Sequence, residues 1–204
     1  MESNLRAMDD QFSRSSLRDR ILNDLRSTVK QVIRFPLFSF LIREGSKQWD
    51  LSILQIYHES VNNELSHENK SYLCLTLIKN LDEALRHGLK QLHLGYWRPV
   101  QKILHSQTLE AVEKLPEYDS SNVSCLTKGR TWIALSLRDD SFVSYIQCLS
   151  TEAKLDRFYE AWSILRNNDC CNRFLSILSG LDNVTFTFQI VSLFNFFDKI
   201  SSYS

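Results

Sequence analysis

The stretch that most constrains this chain is Lys128-Gly129-Arg130-Thr131-Trp132-Ile133-Ala134-Leu135-Ser136-Leu137-Arg138. On a helix turning about 100° per residue, Trp132, Ile133, Ala134, Leu135 and Leu137 spread over most of the circumference rather than along one stripe. A helix that is apolar nearly all round sits inside a domain, with other helices packed about it. Ala134 and Ser136 are small enough for neighbours to come close. Thr127 is the predicted N-cap. That places Lys128 and Arg130 in the first turn, where the helix dipole disfavours cations. Either these two are solvated, or something anionic comes to them.

The flanking sequence supplies the partner helices. Ser16 with Asp19 resembles a capping box. The helix after it is expected to bury Leu17, Ile21, Leu25, Val29 and Val32, and Phe35-Pro36 stops it. A second helix, capped at Asn69, carries Leu73, Leu77, Leu81 and Leu85 on one face, with Ile78 and Ala84 alongside, and Gly88 closes it. Pro99 opens a short helix through Val100, Ile103 and Leu104, and Thr108 caps another over Leu109 to Leu115. Asp139-Asp140-Ser141 breaks the central helix and caps the next, with Phe142, Tyr145, Ile146 and Leu149. Thr151-Glu152 is expected to start a helix with Leu155, Phe158 and Tyr159. Cys171, Phe174, Leu175, Ile177 and Leu178 form the last helix, closed by Gly180, and Thr185 to Ile190 alternates like a strand. The sum is an all-α fold, a single compact bundle of about seven or eight helices.

Composition sets the class of function. The 204 residues suffice for one domain with a sizeable core, and 43% hydrophobic content is ordinary for a globular chain. Lys and Arg number 24, as do Asp and Glu, so bulk charge predicts no affinity for nucleic acid. The five cysteines form no Cys-x-x-Cys pair and no signal peptide leads the chain, which points to free thiols in a reducing, cytoplasmic setting. No Gly-rich phosphate loop, His-Glu-x-x-His, Gly-x-Ser-x-Gly or spaced Cys/His set is present. We therefore expect no enzyme activity, no catalytic residue, no cofactor and no metal.

Charge is uneven along the chain. No acidic residue lies between Glu83 and Glu110, while Arg86, Lys90, Arg98 and Lys102 do, with His87, His93 and His105. Lys128 and Arg130 follow in the next element. In a neutral chain such an interval reads as a basic patch. Tyr96 and Trp97 in its middle are either aromatic anchors of a binding surface for an acidic partner or members of the core with the cations scattered over several faces.

Gly129-Arg-Thr-Trp-Ile-Ala-Leu-Ser-Leu137, Ser141-Phe-Val-Ser-Tyr145, Phe158-Tyr-Glu-Ala-Trp162 and Leu178-Ser-Gly-Leu181 together resemble the RUN domain. Leu85-Arg-His-Gly-Leu-Lys90 is similar to the family's hydrophobic-His-Gly-Leu-Lys helix end. The first residues are polar and unpatterned, so a disordered leader is expected at 1–14; the resemblance implies the domain at 15–188 with an insertion at 32–56, and an atypical hydrophobic tail at 189–204. It also implies binding to a GTP-loaded small GTPase, an Arf-like lysosomal one or a Rab-type one, and peripheral recruitment through it to the lysosomal or late endosomal membrane. Kinesin would be engaged through regions outside this chain. The helix-end motifs carry over as His87, Lys90, Lys128 and Arg130, and the acid-free interval adds Arg98 and Lys102. Two other functions compete: a surface module for anionic lipid, and a truncated isoform that does not function.

Overall fold

The computed structural model describes residues 2–34, 37–39, 67–114 and 125–187. Among these are seven helices: α1 (Glu2–Ile33), α2 (His67–Arg86), α3 (Trp97–Gln101), α4 (Ser106–Lys114), α5 (Cys125–Arg138), α6 (Phe142–Ser150) and α7 (Asn168–Leu178). Strands β1 (Leu37–Ser39) and β2 (Thr185–Thr187) pair in parallel, Leu37 opposite Thr185. The fold is all-α, as the periodicity predicts.

α5 lies at the centre. Every residue from Thr131 to Leu137 is buried. The two hydroxyls inside this run are satisfied within the helix, Thr131 Oγ1 donating to the Thr127 carbonyl at 2.9 Å and Ser136 Oγ to the Trp132 carbonyl at 2.7 Å. Such back-bonding lets a polar side chain sit in a core without an orphaned donor. Trp132 packs against Tyr96, Phe142 and Tyr145 with ring centroids 6.3, 5.5 and 6.1 Å away. α2 presents the predicted face, with Leu73, Leu77, Ile78, Leu81, Ala84 and Leu85 all buried. α1 packs along α2 through Ile21, Leu22, Leu25, Val29 and Val32.

Several expectations are corrected. α1 does not begin at Ser16. No glycine or proline interrupts residues 2–33, so the segment read as a disordered leader is helical from Glu2. Leu17 is 40% exposed, one turn outside the buried stripe. α5 starts at Cys125, so Thr127 is inside the helix, Lys128 ends the first turn and Arg130 is past it. Thr108 does not cap α4, which starts at Ser106; its hydroxyl meets the Tyr145 hydroxyl at 3.1 Å. Of the 32–56 segment, Val32 is buried and Leu37–Ser39 forms β1, while 40–56 and the tail at 189–204 lie outside the described residues.

The expected helix at Thr151–Tyr159 is replaced by a single 3-10 turn, Leu155–Arg157. The reason is that its backbone is committed elsewhere. Lys90 N–H donates to the Phe158 carbonyl at 2.9 Å, and Glu160 N–H donates to the Gly88 carbonyl at 2.8 Å. The Tyr159 hydroxyl donates to the Leu85 carbonyl at 2.8 Å, satisfying one of the acceptors left over at the end of α2. Gly88 makes this junction possible. Its φ of +76° is the left-handed conformation, and a Cβ there would overlap Ser163 Cβ and come within 2.9 Å of Ser163 Cα. Gly88→Ala is expected to lower stability by about 2–4 kcal/mol, from left-handed strain plus overpacking. Urea unfolding checks this, and adding Ser163→Gly should return more stability than additivity allows.

Candidate functional site

The five cations and one histidine singled out from sequence separate into two groups. His87, Lys128 and Arg130 are used inside the protein. Lys90, Arg98 and Lys102 gather on its surface.

Arg130 reaches from α5 to Asp82 on α2, Nη2 to Oδ2 at 3.0 Å. The Asp82 side chain is only 2% exposed, and its other oxygen accepts from the Tyr96 hydroxyl at 2.8 Å. Arg86 stands 3.9 Å away on the same carboxylate. Burial, then the neighbouring Asp82 charge, pushes the Tyr96 phenol up, so it stays a neutral donor. Gly129 explains why the motif needs no side chain there: a Cβ would come 2.7 Å from Tyr96 Cε2. The anion that comes to Arg130 is therefore the chain's own. The same holds for Lys128, whose Nζ lies 2.7 Å from Glu113 Oε2, while Gln101 Nε2 donates to Glu113 Oε1 at 3.0 Å. Burial opposes ionisation of Glu113, but the Lys128 hydrogen bond and charge outweigh it and hold the carboxyl below its ordinary range.

His87 is 6% exposed and is no surface cation. Its Nδ1 accepts from the Ile164 N–H at 3.2 Å, and its ring meets the Trp162 ring edge-on at 5.0 Å. Burial, then the Arg18 charge, lowers its pKa to about 4, so it is neutral. Its work is to hold the end of α2 against the 158–164 segment.

The other three converge on Phe158. Lys90 and Arg98 line a small groove with Leu89, Leu94, Arg157 and Phe158. Lys102 Nζ sits 4.6 Å above the Phe158 ring, a cation–π contact. Lys90 Nζ donates to the Asp156 carbonyl at 2.8 Å and keeps its charge and two further donors. Among the described residues, none of the three is paired with a carboxylate. Arg157 is the member that sequence reasoning missed. Tyr96 and Trp97 are buried, so they are core rather than surface anchors. No group of three or more side chains able to hold a metal occurs among the described residues, and no described helix is long and apolar enough to cross a membrane.

Arg130→Met is expected to cost about 3 kcal/mol in urea unfolding, because it strips a buried carboxylate of its closest charge. Adding Asp82→Asn should recover part of that loss. Acidification tests His87. Its folded pKa is below the ordinary 6.5, so the unfolded chain takes up the proton first. The contribution is complete above about pH 6.5 and is lost as pH falls toward 4, with a slope of up to about 1.4 kcal/mol per pH unit. His87→Asn, which keeps an acceptor for Ile164 N–H, should flatten that slope.

The RUN domain family model matches residues 76–192, more than half of the chain. Over 139 residues the chain is 27% identical to human (Homo sapiens) Pleckstrin homology domain-containing family M member 2, a match covering 67% of this chain and 13% of that protein. The mouse (Mus musculus) protein of the same name matches with the same identity and coverage. The match thus spans a small fraction of these relatives' length. The family match starts inside α2, yet α1 packs on α2 and α7 and shares their core. From its matched residues and its all-helical architecture, the chain belongs to the RUN domain family.

Proposed function

We propose that this chain is a non-enzymatic effector or adaptor domain, spanning residues 15–188, that binds a GTP-loaded small GTPase of Arf-like or Rab type. The binding surface is the groove lined by Lys90, Arg98 and Phe158, with Lys102 beside it over the Phe158 ring. One observation carries the reading: these cations are exposed and share one apolar centre, whereas His87, Lys128 and Arg130 are engaged internally. Unpaired surface cations around an aromatic ring favour an acidic partner and speed its association. Such an effector would be recruited to the lysosomal or late endosomal membrane by the GTPase and would serve lysosome and endosome positioning and kinesin-linked transport.

The test is binding to a lysosomal Arf-like GTPase loaded with a GTP analogue or GDP, followed by calorimetry. Wild type should prefer the GTP form. Arg98→Glu with Lys102→Glu should weaken binding by at least about tenfold while leaving the melting temperature near wild type. Arg130→Glu should instead lower the melting temperature. Binding that ignores the nucleotide and appears only on anionic vesicles would support the lipid-surface function instead.

A further inference from the structure

Beside the groove is a feature that no motif assigns. The 3-10 turn Leu92–Leu94 puts Leu92 into solvent with 53% of its surface exposed, one of few large apolar side chains so placed among the described residues. Its neighbours Gln91 and Leu94 line the groove, together with Lys90, Arg98, Arg157 and Phe158. Arg157 comes from the other side, on the 3-10 turn Leu155–Arg157. The turn carrying Leu92 is anchored beneath by the bond from Lys90 N–H to the Phe158 carbonyl. Asp156, also exposed, is the acidic neighbour of Arg157 on the Leu155–Arg157 turn, and its carbonyl is taken by Lys90 Nζ. An apolar knob at the edge of a groove flanked by cations from two elements has the anatomy of an interaction surface with an apolar centre and a polar rim.

We infer that Leu92 and Arg157 complete this docking surface, and that it fits an acidic protein segment carrying an apolar residue, with carboxylates reaching Arg98 and Arg157 across the groove while the apolar residue packs on Leu92 and Phe158. This deepens the effector reading by naming the partner's chemistry, and it rests on the same groove. Charge complementarity selects the occupant. The groove's rim is cationic and the interval from Glu83 to Glu110 carries no acid, so a basic or neutral segment gains nothing from the rim. A partner with acid alone would leave Leu92 uncovered.

A fluorescent peptide of alternating Glu and Asp around a central Phe, and the same peptide with Ser for Phe, are the probes, with the folded full chain as receptor. Fluorescence anisotropy over a salt series separates the two contributions. Arg157→Glu should weaken binding of the Phe peptide about tenfold and flatten its salt dependence. Leu92→Ser should weaken it about threefold to fivefold with the salt dependence unchanged, and should not affect the Ser peptide. Both variants should melt near wild type, since both sites are exposed. Absent binding, binding indifferent to both substitutions, or capture by phosphatidylserine vesicles in place of the peptide would overturn the inference. Peptide binding with the expected losses, alongside no affinity for any GTP-loaded GTPase, would sink the effector reading and leave this inference standing.

Discussion

The structure depends on one buried carboxylate. Asp82 sits on α2 facing α5, in a region where an unpaired charge would cost several kcal/mol. It is held by the Arg130 guanidinium, the Tyr96 hydroxyl and, at longer range, Arg86. Each of these arrives by a constraint visible in the chain. Arg130 comes from α5, the helix buried on almost every side. Tyr96 reaches Asp82 only because Gly129 has no Cβ to block the ring. The ion pair thus fixes the rotation of α5 against α2 and the position of the 95–97 connector at once. A hydrophobic core alone would tolerate slippage of those elements. A carboxylate with two directional partners does not.

A second junction works by backbone rather than charge. The end of α2 and the 158–164 segment exchange backbone hydrogen bonds, with Gly88 against Ser163, His87 receiving Ile164 N–H, and Tyr159 capping the helix carbonyl at Leu85. This junction builds the groove. It brings Phe158 and Arg157 up to Lys90, and the 3-10 turn at Leu92–Leu94 follows directly from it. Stability and the candidate binding surface are therefore linked: the motifs that look like a binding signature are mostly the scaffold, and the surface is what the scaffold displays.

The sequence was readable where burial follows periodicity. The Leu73–Leu85 stripe of α2, the all-round burial of α5 and the left-handed Gly88 are local patterns, and the structure has each of them. It was not readable where partners come from far along the chain. Nothing near Arg130 announces Asp82, so a cation near a helix start looked like a binding group when it is an internal counter-charge. His87 sits in a basic run and is buried, because the Ile164 N–H and Trp162 that cover it lie far along the chain. Arg157 is not legible in an acid-free interval, which is a property of one segment, because its contribution to the groove is made across segments. The 151–159 stretch had helical spacing but gave its backbone to another strand of contacts, which propensity cannot anticipate.

The surface around Phe158, and not the internally paired Lys128 and Arg130, is proposed to meet the partner. Backbone hydrogen exchange of the full chain, with and without an Arf-like GTPase in its GTP- and GDP-loaded forms, tests it most directly. Protection is expected at 90–102 and 154–158 with the GTP form alone, with amides at 128–132 unchanged because they lie inside α5. Protection centred elsewhere, or equal with both nucleotides, would contradict it.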